Sequence, residues 1–109
     1  MSQLNDFLVN IPDKPNVLAT RISNVEAHIA GTKGLVESGT IVMAGPTLVA
    51  HPKTASEHPV INGSAWLVRA NSEEDVRAII ANDIYAKLGV WDLDNVTVTP
   101  FRCAVRKPL

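Results

Sequence analysis

The chain has 109 residues, enough for one domain of ordinary size and too few for two. Ten Lys and Arg stand against eleven Asp and Glu, a formal charge of −1, so the basic surface that nucleic acid or an anionic membrane requires is missing and neither is expected as a partner. The single cysteine, Cys103, allows no internal disulfide; with no secretion-type leader and no apolar run of about 18 residues, a cytoplasmic protein is expected.

In chain order, Phe7-Leu8-Val9-Asn10-Ile11 is a short apolar run closed by Pro12 and Pro15, which predicts a first strand and a turn. Leu18, Ile22, Val25, Ile29 and Val36 then share one helical face. They predict a single amphipathic helix over 15–37 that buries this stripe. Pro15 fits its first turn, where a missing amide hydrogen would be unbonded anyway, and Gly39 fits its exit. Residues 40–44 (TIVMA) and 64–70 (SAWLVRA) predict two strands, the first ended by Gly45-Pro46. The sixteen residues between Pro46 and Gly63 hold two His-Pro steps; this 47–62 segment is a candidate lid, or else its ends prolong the two strands as a hairpin.

Ser72 before Glu73, Glu74 and Asp75 predicts a capped helix start, with acids where the helix dipole favours them. Val76, Ile79 and Ile80 form its buried stripe, and Gly89 ends the segment. Residues 96–105 (VTVTPFRCAV) predict the last strand, bent or bulged at Pro100, where the alternation changes phase. The order β-α-β-β-α-β predicts an α+β, ferredoxin-like fold: a four-stranded antiparallel sheet with two helices on one face. Phe7, Val9, Trp66 and Val68 are candidates for the other, open face. A second copy covers such a face in the dimeric α+β barrel, so a homodimer is expected.

Few residues suit chemistry. His28 lies about 90° from the centre of the helical stripe, and Arg21, two turns earlier, lies on nearly the same line; they either face one ligand or are ordinary boundary residues. Asp83 falls on the buried stripe of the second helix if that helix continues, and a carboxylate there needs a positive or hydrogen-bonding partner. Alternatively it caps a short turn, Ile84 to Leu88, as Ser72 caps the helix before it. His51 and His58 read as solvated loop histidines and no metal site is expected. Cys103 reads as a small strand residue, and no glycine pattern matches a phosphate loop. Trp66, Tyr85 and Trp91 read first as core or interface residues and are also the candidates for substrate contact.

Several segments, in order, resemble the YCII-related proteins, in particular their fungal branch. They are Ile11-Pro12-Asp13-Lys14-Pro15, Arg21…His28, Glu37-Ser38-Gly39…Met43-Ala44-Gly45-Pro46, Gly63-Ser64-Ala65, Ser72-Glu73-Glu74, Asp83-Ile84-Tyr85-Ala86-Lys87, Gly89-Val90-Trp91-Asp92 and Pro100-Phe101. The resemblance implies a dimeric α+β barrel with a His/Asp pair as active site, matched here by His28 and Asp83. Many relatives outside the fungal branch have proline after this aspartate; this chain has Ile84, which loosens the helix end. The family supplies no reaction, but the chemistry of such a pair in an apolar cleft suits a cofactor-free lyase or isomerase that uses it in acid–base catalysis on a carbonyl, lactone or aromatic, polyketide-like metabolite, with Arg21 holding a carboxylate or enolate oxygen. The alternative is a non-catalytic dimeric module that binds a small ligand or serves a partner, and a weaker alternative is a cofactor-free oxygenase.

Overall fold

The computed structural model describes residues 4–108. Its frame is one antiparallel sheet in the order β2-β3-β1-β4, the ferredoxin-like arrangement. β1 (Asn5–Pro12) and β3 (Ile61–Ala70) are the central pair, in register from Asn5 opposite Ala70 to Pro12 opposite Gly63. Because side chains alternate along a strand, Phe7, Val9 and Ile11 share one face with Ser64, Trp66, Val68 and Ala70, and all seven are buried. The helices cover this face; their Val76, Ile80 and Tyr85, with Val90 and Trp91 from the segment that follows the last of them, complete the core.

That assignment corrects the expected open face: Phe7, Val9, Trp66 and Val68 lie under the helices. The outer face carries the other set, Asp6, Leu8 and Asn10 opposite Arg69, Leu67 and Ala65. Alternation alone gives two sets of residues, and the set beneath the helices is the more apolar one.

The first predicted helix is two, α1 (Leu18–Ser23) and α2 (Val25–Glu37), parted at Asn24, whose φ of −117° and ψ of 12° are not helical. Pro15 lies in the turn before them, and Asn16 takes a left-handed φ of 62° there. The predicted stripe does not face the core: Ile22, Val25, Ile29 and Val36 are exposed, Ile29 at 61%. Arg21 is turned inward instead, only 5% exposed.

β2 (Ile41–Leu48) runs through Gly45 and Pro46 rather than ending there. It is an edge strand, where a missing proline amide need not interrupt the ladder. The predicted loop therefore shrinks to residues 49–60, closed at its base by Val49 N–H donating to the Val60 carbonyl at 2.9 Å. The second helix also divides, into α3 (Glu73–Ala81) and α4 (Ile84–Lys87). As expected, Ser72 Oγ accepts from Asp75 N–H, and Val76 and Ile80 are buried. β4 (Thr97–Phe101) crosses Pro100 without a register shift and stops at Phe101, so neither the expected bulge nor the strand to residue 105 forms. β4 is the other edge, and Pro100 is accommodated as Pro46 is. Beyond it, Cys103 N–H donates to Asp6 Oδ2 at 3.1 Å, and the following residues flank the outer face beside Leu67. No helix among the described residues is long and apolar enough to cross a membrane.

Candidate active site

The division between α3 and α4 builds the centre of the site. Asp83, with extended backbone, caps α4, and its Oδ1 accepts the Tyr85 amide at 2.9 Å. The same oxygen lies 2.8 Å from His28 Nδ1. The second helix ends before Asp83, so the cap reading holds and the continued helix does not; the partner expected of a carboxylate here is met all the same, since one oxygen has lone pairs for two donors. With a carboxylate as its partner, Nδ1 carries the ring hydrogen and Nε2 the free lone pair.

His28 is held by aromatic rings. The Tyr85 ring stacks on it with centroids 4.1 Å apart and planes 13° apart, while Trp91 meets it edge-on at 5.7 Å and Trp66 lies at 6.2 Å. Tyr85 and Trp91 are fully buried. Burial pushes the Tyr85 phenol above its usual range, against the opposing effect of the nearby Arg21 charge, and its hydroxyl donates to the Arg21 carbonyl at 2.8 Å.

Arg21 is the second fixed group. Its Nε donates to Asp13 Oδ2 at 2.9 Å, and its Nη2 donates to the Gly63 carbonyl at 2.9 Å and to Ser64 Oγ at 2.5 Å. The guanidinium carbon stands 4.8 Å above the Tyr85 ring. A buried guanidinium is tolerable only with such partners, and the backbone is shaped to supply them. A Cβ on Gly63 would stand 2.5 Å from the Ile11 carbonyl oxygen and 3.2 Å from Pro12 Cα, so only glycine lets β3 approach β1 this closely. Two buried polar atoms lack a protein partner among the described residues, Asp13 Oδ1 and Trp91 Nε1; their residues face each other across a single bridge.

These groups meet a cleft of about 470 Å³ between α2 and the edge strand β2, a size suited to a small organic molecule. Arg21, His28, Ser64 and Trp66 contribute to its lining on the side of the core. Val25, Ile29 and Val36 of the outward stripe form one apolar wall, and Ile41, Pro46 and Ile61 belong to the other.

The structure thus brings together His28, Asp83, Arg21 and Trp66. Tyr85 and Trp91 stand behind His28, outside the cleft lining. His51 and His58 are exposed in the 49–60 loop, and no group of three or more metal-binding side chains occurs among the described residues. Asp13 and Ser64 were missed as site residues by sequence reasoning, although the Asp13 turn and the Gly63-Ser64 step had been singled out as motifs. No local pattern marks either, because their shared partner, Arg21, lies eight residues from one and 43 from the other.

A family model for the YCII-related domain matches residues 6–102. The chain is 51% identical over 89 residues to derivative of benzaldehyde biosynthesis cluster protein C of Emericella nidulans, covering 82% of this chain and 91% of that one. It is 37% identical over 101 residues to fusaric acid biosynthesis protein 2 of Gibberella moniliformis, covering 93% and 96%. Among solved structures, 5-chloro-2-hydroxyhydroquinone dehydrochlorinase from Burkholderia phenoliruptrix, in complex with 2,5-dihydroxybenzoquinone, superimposes with a TM-score of 0.73 at 30% identity, covering 89% of this chain and 93% of that one. The chain belongs to the YCII-related family.

Proposed function

We propose that this YCII-related protein is a small-molecule lyase or isomerase in which His28 and Asp83 act as a paired acid–base catalyst on a hydroxylated or carbonyl-bearing ring compound. The observation that carries the reading is the 2.8 Å contact of His28 Nδ1 with Asp83 Oδ1 beside an apolar-walled cleft. Asp83 orients the ring, and Nε2 takes a proton from an acidic C–H or O–H group. The electron pair left by a C–H moves onto the adjacent carbonyl oxygen as an enolate, and the pair left by an enol or phenol O–H stays on its own oxygen as an enolate or phenolate. In an isomerisation His28 returns the proton to another atom; in an elimination the enolate collapses with departure of a leaving group. Either way protons and electrons balance without a cofactor. The likeness to a dehydrochlorinase supports this, since loss of hydrogen chloride requires that a proton be taken as well as chloride released. The relative from a benzaldehyde-derivative cluster supports an aromatic substrate.

We also propose that the working form is a homodimer closed through the outer sheet face, where Phe101 remains exposed. Sedimentation should give twice the 11.7 kDa chain mass, and Phe101→Glu should halve it.

The test of the catalytic reading is a panel of enolisable quinols, hydroxyaldehydes and lactones incubated in heavy water and followed by proton NMR. Wild type should catalyse exchange or conversion of at least one member, and His28→Ala should lose it about 100-fold or more. Equal rates for the two proteins would remove His28 from the chemistry. Binding without turnover would favour the ligand-binding module.

A further inference from the structure

Ser64 has no place in the acid–base pair, yet it is 3% exposed on the core side of β3 and lines the same cleft as His28. Its Oγ accepts a hydrogen bond from Arg21 Nη2. A hydroxyl has one hydrogen to give, and no acceptor receives it among the described residues. Burying a donor without an acceptor costs about 1–3 kcal/mol, so a hydroxyl in this position is suited to an acceptor that arrives with the ligand.

We propose that the Ser64 hydroxyl, polarised by Arg21, is the donor that holds the substrate oxygen on which negative charge develops when His28 removes a proton. This rests on the acid–base reading above and deepens it, because it names the group that His28 alone lacks. The donor is preorganised: Arg21 cannot swing, being fixed by Asp13, the Gly63 carbonyl and the Tyr85 ring. Donors held in place before the reaction stabilise a forming oxyanion more than they stabilise the neutral carbonyl. Asp13 matters for the same reason. It balances the Arg21 charge at 2.9 Å, so the site presents oriented hydrogen-bond donors instead of a free cation. The ligand class it fits is therefore a ring carbonyl or phenol that becomes an enolate or phenolate in place, with its apolar body against Val25, Ile29 and Val36.

The probe is 4-nitrophenol, colourless as the phenol and yellow as the phenolate, titrated into wild type, Ser64→Ala and His28→Ala across its ionisation range. Wild type should bind the phenolate more tightly than the phenol. Ser64→Ala should weaken phenolate binding about tenfold, the value of one hydrogen bond to a charged acceptor, while binding of the neutral phenol stays within twofold and the thermal midpoint falls only by the roughly 5 °C that one lost hydrogen bond from Arg21 costs. Phenolate affinity within twofold of wild type in Ser64→Ala would overturn the proposal. An equal loss for phenol and phenolate would overturn it too, because the hydroxyl would then only shape the cleft. Absence of any binding by wild type would likewise overturn it. The acid–base reading fails separately, through an unimpaired His28→Ala in the heavy-water assay, so the two failures are distinguishable.

Discussion

Asp83 offers the sharpest test of the site's construction, because one oxygen carries two bonds of different kinds. Its Oδ1 accepts the Tyr85 amide at 2.9 Å and His28 Nδ1 at 2.8 Å. In Asp83→Ala the loss of an N-cap costs about 1 kcal/mol, and leaving the part-buried His28 donor unpaired costs about 1–3 kcal/mol more. The sum is about 2–4 kcal/mol, which for a domain of this length lowers the thermal midpoint by roughly 10 °C or more. Asp83→Asn should behave differently. Asparagine caps about as well as aspartate, and its amide oxygen still accepts, so the stability loss should stay below about 1 kcal/mol. The charge that orients the ring is nevertheless gone, and turnover should fall by about 100-fold or more. The assay is urea unfolding followed by fluorescence of the two buried tryptophans, Trp66 and Trp91. A double-mutant cycle with His28→Ala isolates the pair and should give a coupling of about 1–2 kcal/mol. If Asp83→Ala stays within about 0.5 kcal/mol of wild type, or the two changes are additive, the shared-oxygen arrangement is refuted.

Two further predictions concern the groups around it, and a third concerns the outer face of the sheet. Arg21→Met should destabilise by about 3–5 kcal/mol in urea unfolding, because Asp13 is left as a buried charge without its ion-pair partner; adding Asp13→Asn should recover part of that loss. Tyr85→Phe should cost about 1 kcal/mol through the lost bond to the Arg21 carbonyl. Burial raises the phenol's pKa in the folded state, so its contribution is fully present below the ordinary value of 10.0 and is lost as pH rises through the folded value; the Phe variant should flatten this alkaline decline in unfolding free energy. Asp6 carries the opposite sign: the Arg69 hydrogen bond, aided by the Cys103 amide, lowers its pKa, so its contribution is present above 3.8 and is lost as pH falls through the folded value. Arg69 is half exposed, so Asp6→Asn should remove no more than about 1 kcal/mol of the acid dependence.

The sheet was readable because its signals are local. Phe7, Val9 and Ile11 alternate with polar or half-buried neighbours, and Ser72 with its three following acids marks a helix start that formed where expected. Proline at an edge misled twice: Pro46 read as the end of one strand and Pro100 as a bend in another, yet each sits in the ladder of an outer strand. Which face of the sheet the helices cover was not readable from alternation, because it separates Phe7 and Val9 from Leu8, and Trp66 and Val68 from Leu67, without saying which set lies under the helices. The two uses of Asp83 were each visible in its spacing, and their coincidence was not, because His28 lies 55 residues away.

The misreading of the first helix bears most directly on function. Periodicity assigns the apolar side of a helix to the core on the ground that burial of apolar area dominates. Here Arg21 and His28 take the inward positions, because each meets partners that repay its desolvation: Asp13, the Gly63 carbonyl and Ser64 for one, Asp83 and the Tyr85 ring for the other. Those partners lie between 8 and 57 residues away in sequence, beyond any helical period. Once the polar residues are fixed inward, Val25, Ile29 and Val36 must point outward, where they form the wall of the cleft. A variant with the wall made polar, such as Ile29→Gln, should therefore leave stability within about 0.5 kcal/mol of wild type, as surface changes do, while weakening the binding of any apolar ring. If instead it destabilised the protein as a core substitution would, the stripe would belong to the interior after all.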